Sequence, residues 1–144
     1  MKLVIHKETK VRLPAKKIKE LFDMLMEEEA DPASTCSVQL IFTTDAKIKE
    51  LNSYYRNKEV ATDVLSFNID EINEPKGVFG EIYISVPFAK KQAKSYKATL
   101  SEELIRLITH GLLHLFGYDH IKPDEEKIMN VREEYFWDCL YGEN

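Results

Sequence analysis

Apolar and polar positions along the chain change period several times, and each change marks an element. Lys2 to Lys7 alternates loosely and predicts a short strand. Pro14 suits the first position of a helix, whose apolar face is Ile18, Leu21, Phe22 and Leu25, running to about Glu29. Asp31-Pro32 breaks it. Cys36 to Phe42 predicts a second strand. Thr44 or Asp45 can cap a helix to about Tyr55 with Ile48 and Leu51 inward. Val64 to Ile69 is a third strand, Asn73 to Gly77 a turn, and Val78 to Ser85 a fourth strand. Pro87 opens a helix to about Tyr96.

The next helix is apolar around most of its surface, with Leu104, Ile105, Leu107, Ile108, Leu112, Leu113 and Leu115, so it should be buried. Ser101 is its expected N-cap, with Glu102 and Glu103 in the first turn. Gly117 should end it. Pro123 opens a last helix whose apolar positions are Ile128, Val131, Tyr135, Phe136 and Leu140. The order β-α-β-α-β-β-α-α-α predicts an α+β fold: about four strands in a mixed sheet, packed with about five helices.

Composition bounds the answer. The 144 residues suit one domain spanning 1–144, large enough for an ordinary core. No apolar run is long enough for a membrane span, and that of the N-terminus is too short for a signal peptide. Cys36 and Cys139 form no Cys-x-x-Cys pair and are expected to be free thiols, as befits a cytoplasmic protein. The net charge of −5 does not advertise a nucleic-acid binder. Its distribution matters more. Lysines and arginines crowd the first nineteen residues and recur at Lys90, Lys91, Lys94 and Lys97, while acids gather at Glu27-Glu28-Glu29 and after Asp119. The second lysine group is either a solvated helix face or a contact for RNA or a ribosomal component.

The chemistry concentrates in His110-Gly111-Leu112-Leu113-His114-Leu115-Phe116-Gly117-Tyr118-Asp119-His120, which holds three of the four histidines. Four residues apart on a helix, the rings of His110 and His114 share a face. A glycine turn at 117 can carry His120 back to them. Three imidazoles with a fourth position open is the arrangement of catalytic rather than structural zinc. Nickel, copper and iron also accept imidazole. The spacing matches the metzincin pattern of zinc proteases at every position but one: Gly111 stands where those enzymes carry the glutamate that acts as general base. That difference argues against peptide hydrolysis.

The same stretch resembles the YbeY family of bacterial rRNA maturation factors, whose hallmark His-Gly-x-Leu-His-Leu-x-Gly-Tyr-Asp-His it matches completely. Thr62-Asp63-Val64-Leu65-Ser66-Phe67, preceded by Leu51-Asn52 and Tyr55-Arg56, resembles a second hallmark. Gly80-Glu81-Ile82 resembles the family's Gly-Asp-Ile strand. Asn68 stands where a proline is common, and Glu81 where aspartate is. The resemblance runs from about Leu40 to the C-terminus. It implies a metal-dependent endoribonuclease specific for single strands, acting in the cytoplasm on the 3′ end of small-subunit rRNA and in ribosome assembly. A zinc-stabilised assembly factor without catalysis is the alternative. The partners implied are rRNA, a ribosomal subunit or a ribosomal protein.

The expected ligands of one zinc or other divalent ion are His110, His114 and His120. Arg56 and His114 are the residues assigned to catalysis: the resemblance places an important arginine at 56, and guanidinium pairs well with phosphate. Asp119 either orients a ligand ring or caps the turn at Gly117, the latter favoured. Asp63 and Ser66 shape the cleft floor or bond the ligand helix. Glu103 is a distant candidate base, Tyr118 packs, and His6 is incidental.

Overall fold

The structure, a computed structural model, describes residues 1–58, 62–68 and 77–142. Four strands, β1 (Lys2–Lys7), β2 (Ser37–Thr43), β3 (Val64–Asn68) and β4 (Val78–Ser85), form one sheet in the order β1-β2-β4-β3. β1 and β4 each run parallel to β2, and β3 pairs antiparallel with β4. The helices are α1 (Ala15–Glu29), α2 (Asp45–Arg56), α3 (Val86–Ser95), α4 (Leu100–Leu115) and α5 (Pro123–Tyr141). Among the described residues, the elements follow the expected order and the fold is of the expected α+β class. Ile69 and residues 73–76, part of the predicted third strand and turn, lie outside the described residues; Gly77, which closes that turn, has φ +99°.

Strand alternation divides the apolar residues between two faces. Val38, Leu40, Phe42, Ile82 and Ile84 join the main core with Leu21 and Leu25 of α1 and the aliphatic residues of α4. Leu65 and Phe67 of β3 point the other way and pack with Ile48 beneath α2. The small residues needed for close helix–sheet contact are Gly111 and Gly80. A Cβ at 111 would lie 2.8 Å from Ile82 Cγ2 and 3.1 Å from Ser66 Oγ, and one at 80 would lie 2.6 Å from Leu115 Cδ2.

Two expectations are corrected. The cap of α4 is Thr99, not Ser101: Thr99 Oγ1 accepts the Glu102 N–H at 3.1 Å, and Glu102 Oε1 accepts the Thr99 N–H at 2.9 Å. Only Thr99 has an acid three residues on, which allows this reciprocal pair. In α5, Phe136 and Leu140 are buried as expected, but Ile128, Val131 and Tyr135 are 58%, 59% and 45% exposed. Met129 takes the buried place instead, because α5 meets α1 and α4 along Met129, Phe136 and Leu140.

Glu103 is the one buried carboxylate among the described residues, held by Arg106 on its own helix. Burial pushes its carboxyl above the usual value of 4.5, against the pull of Arg106 and with help from Asp63. A carboxyl raised in the folded state binds its proton more tightly than in the unfolded chain. Its stability contribution is whole below the unfolded value and fades as pH rises through the folded one. Glu103→Gln should therefore gain on the wild type in urea-melt midpoint as pH rises from about 4 to 7. A difference that stays constant with pH would contradict this assignment. Gly111→Ala should destabilise by about 1–3 kcal/mol despite alanine's better helix propensity, because the added methyl meets Ile82. Urea denaturation measures it directly.

Candidate metal centre

Local sequence builds the centre. The carboxyl-terminal half of α4 carries His110 and His114 one turn apart, while Leu112, Leu113 and Leu115 anchor the same turns in the core. The helix stops at Gly117, which takes φ +95°, a conformation that costs glycine little. There the Gly117 N–H donates to His114 O (3.0 Å) and the Tyr118 N–H to Leu113 O (3.1 Å). The chain turns back, and Asp119 Oδ1 accepts the N–H of His120 at 2.7 Å. Asp119 thus holds the backbone of the segment that carries His120.

The three rings converge. Their centroids are 4.6 Å (110 to 114), 5.4 Å (110 to 120) and 5.1 Å (114 to 120) apart. One nitrogen from each lies within 4.8 Å of the others, a set that could hold a metal ion. His110 Nε2 and His114 Nε2 are 3.1 Å apart. Two nitrogens bound to one tetrahedral zinc would stand about 3.3 Å apart. Burial, followed by the neighbouring His110 and His120, lowers the pKa of His114 and favours the neutral ring with a free lone pair. The donor set therefore fits a divalent ion of the kind imidazoles take.

The rings open on a cleft of about 610 Å³ beside β3, the outermost strand among the described residues, lined also by Arg56, Lys58, Asp63 and Ser66. Arg56 closes α2 and reaches round the sheet edge: its Nη2 donates to Ser66 O at 2.9 Å, and its guanidinium carbon lies 5.0 Å from the Phe67 ring centre. Ser66 Oγ donates to Gly111 O at 3.3 Å, tying β3 to the histidine helix. Asp63 Oδ1 accepts the Val64 N–H at 2.8 Å. The residues assigned from the sequence to metal and phosphate are thus brought together.

Others are not. Glu103 lies outside the cleft, paired with Arg106. Lys90, Lys91 and Lys94 rim a separate hollow beside Leu100, at the opposite end of α4, about 15 Å along the helix from His110. His6 of the edge strand β1 bonds Gln39 of its neighbour β2. Cys36 and Cys139 are free thiols.

Contacts beyond the sequence assignment support the centre. Glu133 of α5 sets Oε2 3.5 Å from His110 Nδ1, the ring nitrogen that faces away from His114. Tyr118, expected only to pack, also donates its hydroxyl to Glu29 Oε1 at 2.7 Å, which raises the phenol's pKa. Arg132 closes the group, 3.3 Å from Glu29 and 3.4 Å from Glu28. The turn that bears His120 is thereby held to α1 and α5. Only the acid run at 27–29 was visible as a signal in the sequence, and nothing there marked its partner.

Comparison with known proteins agrees with the fold and the motif. The family described as Endoribonuclease YbeY matches residues 4–140. A relative so named from Halalkalibacterium halodurans is 36% identical over 142 residues, covering 92% of this chain and 89% of its own. Another, from Persephonella marina, is 38% identical over 141 residues, covering 94% and 90%. A Thermotoga maritima protein solved in solution shares 29% identity and superposes with a TM-score of 0.64 over 97% of this chain and 89% of that one. With matched residues running from Val4 to Leu140 and both hallmarks at the cleft, the chain belongs to the YbeY endoribonuclease family.

Proposed function

We propose that this chain is a single-domain, metal-dependent endoribonuclease that cuts single-stranded RNA, with His110, His114 and His120 holding one zinc ion. The observation that carries the reading is the convergence of three imidazole donors within 4.8 Å in a cleft that also holds Arg56. A divalent ion there would supply Lewis-acid charge to a phosphate oxygen. The chain does the rest. Glu133 orients the His110 ring through the nitrogen not turned to the metal. Arg56, already fixed by Ser66 O and Phe67, offers paired N–H donors to the phosphate and stabilises charge that develops on it. Ser66 keeps β3 and α4 in register across the cleft floor. The substrate we infer is rRNA, processed at the 3′ end of the small-subunit species in the cytoplasm, with a ribosomal subunit or protein as partner. Family membership and the cationic side chains of the cleft support this.

A second reading, a non-catalytic assembly factor stabilised by metal, draws on one observation. The two carboxylates lining the cleft among the described residues, Asp63 and Asp119, each already accept a backbone N–H. The two readings separate in one preparation. Metal-loaded protein is assayed on defined single-stranded and duplex RNA, with metal stoichiometry measured alongside. The first expects cleavage of the single strand; the second expects none, with a large fall in melting temperature on chelation.

His114→Ala and Arg56→Ala should each reduce cleavage at least 100-fold while the circular-dichroism melt stays cooperative. Cleavage undiminished from wild type in both variants would trace the activity to a contaminating nuclease. Glu133→Ala should weaken metal binding about tenfold in a chelator competition, and unchanged affinity would remove it from the centre.

A further inference from the structure

Arg56 lines the cleft, and the two residues before it on α2 lie outside that lining. The last turn of α2 carries Tyr54 and Tyr55, 80% and 39% exposed, the former among the most exposed large side chains of the described residues. Their rings meet edge to face, with centroids 4.7 Å apart and planes at 79°. Tyr55 in turn rests on Phe67, centroid to centroid 5.0 Å, and Phe67 is fully buried. The same Phe67 ring carries the Arg56 guanidinium at 5.0 Å. Tyr55 and the Arg56 guanidinium thus share one buried base, Phe67, with Tyr54 packed on Tyr55, while Arg56 and Lys58 line the cleft itself.

We propose that Tyr54, backed by Tyr55, is a stacking subsite for a nucleobase of the RNA strand one or two nucleotides from the scissile phosphate. This deepens the RNA-cleaving reading and rests on it. The occupant follows from what adjoins the rings. Arg56 and Lys58 suit a phosphate backbone, and an exposed aromatic face beside such a track takes a base of any identity. A base inside a duplex is already stacked between neighbours and has no face to offer. The subsite therefore selects single strands by chemistry rather than by sequence. Tyr54 supplies the open face. Tyr55, held against Phe67, keeps the pair from collapsing onto the helix.

The test uses the full-length, metal-loaded protein and a fluorescent 2′-O-methyl oligonucleotide of mixed sequence, which resists cleavage, with affinity read by anisotropy. Tyr54→Ala should weaken binding on the order of tenfold, while Tyr54→Phe and Tyr54→Trp restore it. With cleavable RNA, Tyr54→Ala should raise KM by a similar factor and leave kcat within about twofold. An oligonucleotide with abasic sites should bind wild type and Tyr54→Ala alike. Three results would overturn the subsite: equal affinity of Tyr54→Ala for the intact strand, a loss as large in Tyr54→Phe, or an equal loss on duplex RNA. An effect confined to a protein partner, with RNA binding intact, would do the same. Wild-type protein that neither binds nor cuts single-stranded RNA would instead refute the nuclease reading and this inference with it.

Discussion

A helix can press its backbone against a β-sheet only where small residues face the strands, and in this fold that place is Gly111 against Ile82. The contact fixes the rotation of α4 about its axis. With position 111 turned into the sheet, positions 110 and 114 emerge together to one side, next to β3, the last strand of the sheet among the described residues. Rotation of the helix by one residue would send both imidazoles elsewhere. The aliphatic residues of α4 enforce the angle. Each is worth about 1.5–3 kcal/mol on burial. Together they outweigh the cost of crowding three rings whose nearest nitrogens stand 3.1 Å apart.

The same contact explains how the histidine spacing of a zinc protease can occur without a protease. In the protease pattern the residue after the first ligand is a glutamate that works on the substrate side. Here that residue points at Ile82 and Ser66, with no space for even a methyl group. The glycine is therefore a packing requirement, and a carboxylate at 111 would be buried in the sheet rather than offered to the cleft. Charge near the rings comes from another direction, through Glu133 of α5. The likeness between the two patterns extends to the ligand spacing and the glycine turn, and stops at position 111.

What could be read from the sequence was what local spacing encodes. The histidine pair, the glycine turn and the third ring lie within eleven residues, so helical geometry and one left-handed residue bring them together. The element order was legible for the same reason. The strand order was not, because β4 inserts between β2 and β3 by tertiary packing that no period records. Nor was the face of α5. Its apolar residues surround the helix, and only the positions of α1 and α4 decide that Met129 is buried while Val131 is open. Glu133 and the Glu29–Tyr118–Arg132 group were hidden likewise, since each joins segments far apart in the chain. The cap of α4 was readable in principle: Thr99 followed by Glu102 is a capping box, and choosing Ser101 overlooked the acid at the third position.

Net charge is a poor guide to what such a cleft can hold. The chain carries −5 overall, yet acids are spent in particular places. Glu28 and Glu29 face Arg132 between α1 and α5, Glu133 faces His110, and Glu103 is buried against Arg106. The acids that line the cleft are tied to backbone N–H groups, while Arg56 and Lys58 stand at its wall. A phosphodiester there experiences the nearby charges, since screening at physiological salt removes most of what lies beyond about 8 Å. A divalent ion among three neutral imidazoles would keep its full charge and make the local balance more positive still. For the RNA reading, the relevant quantity is therefore the sign of a few groups in the cleft beside β3.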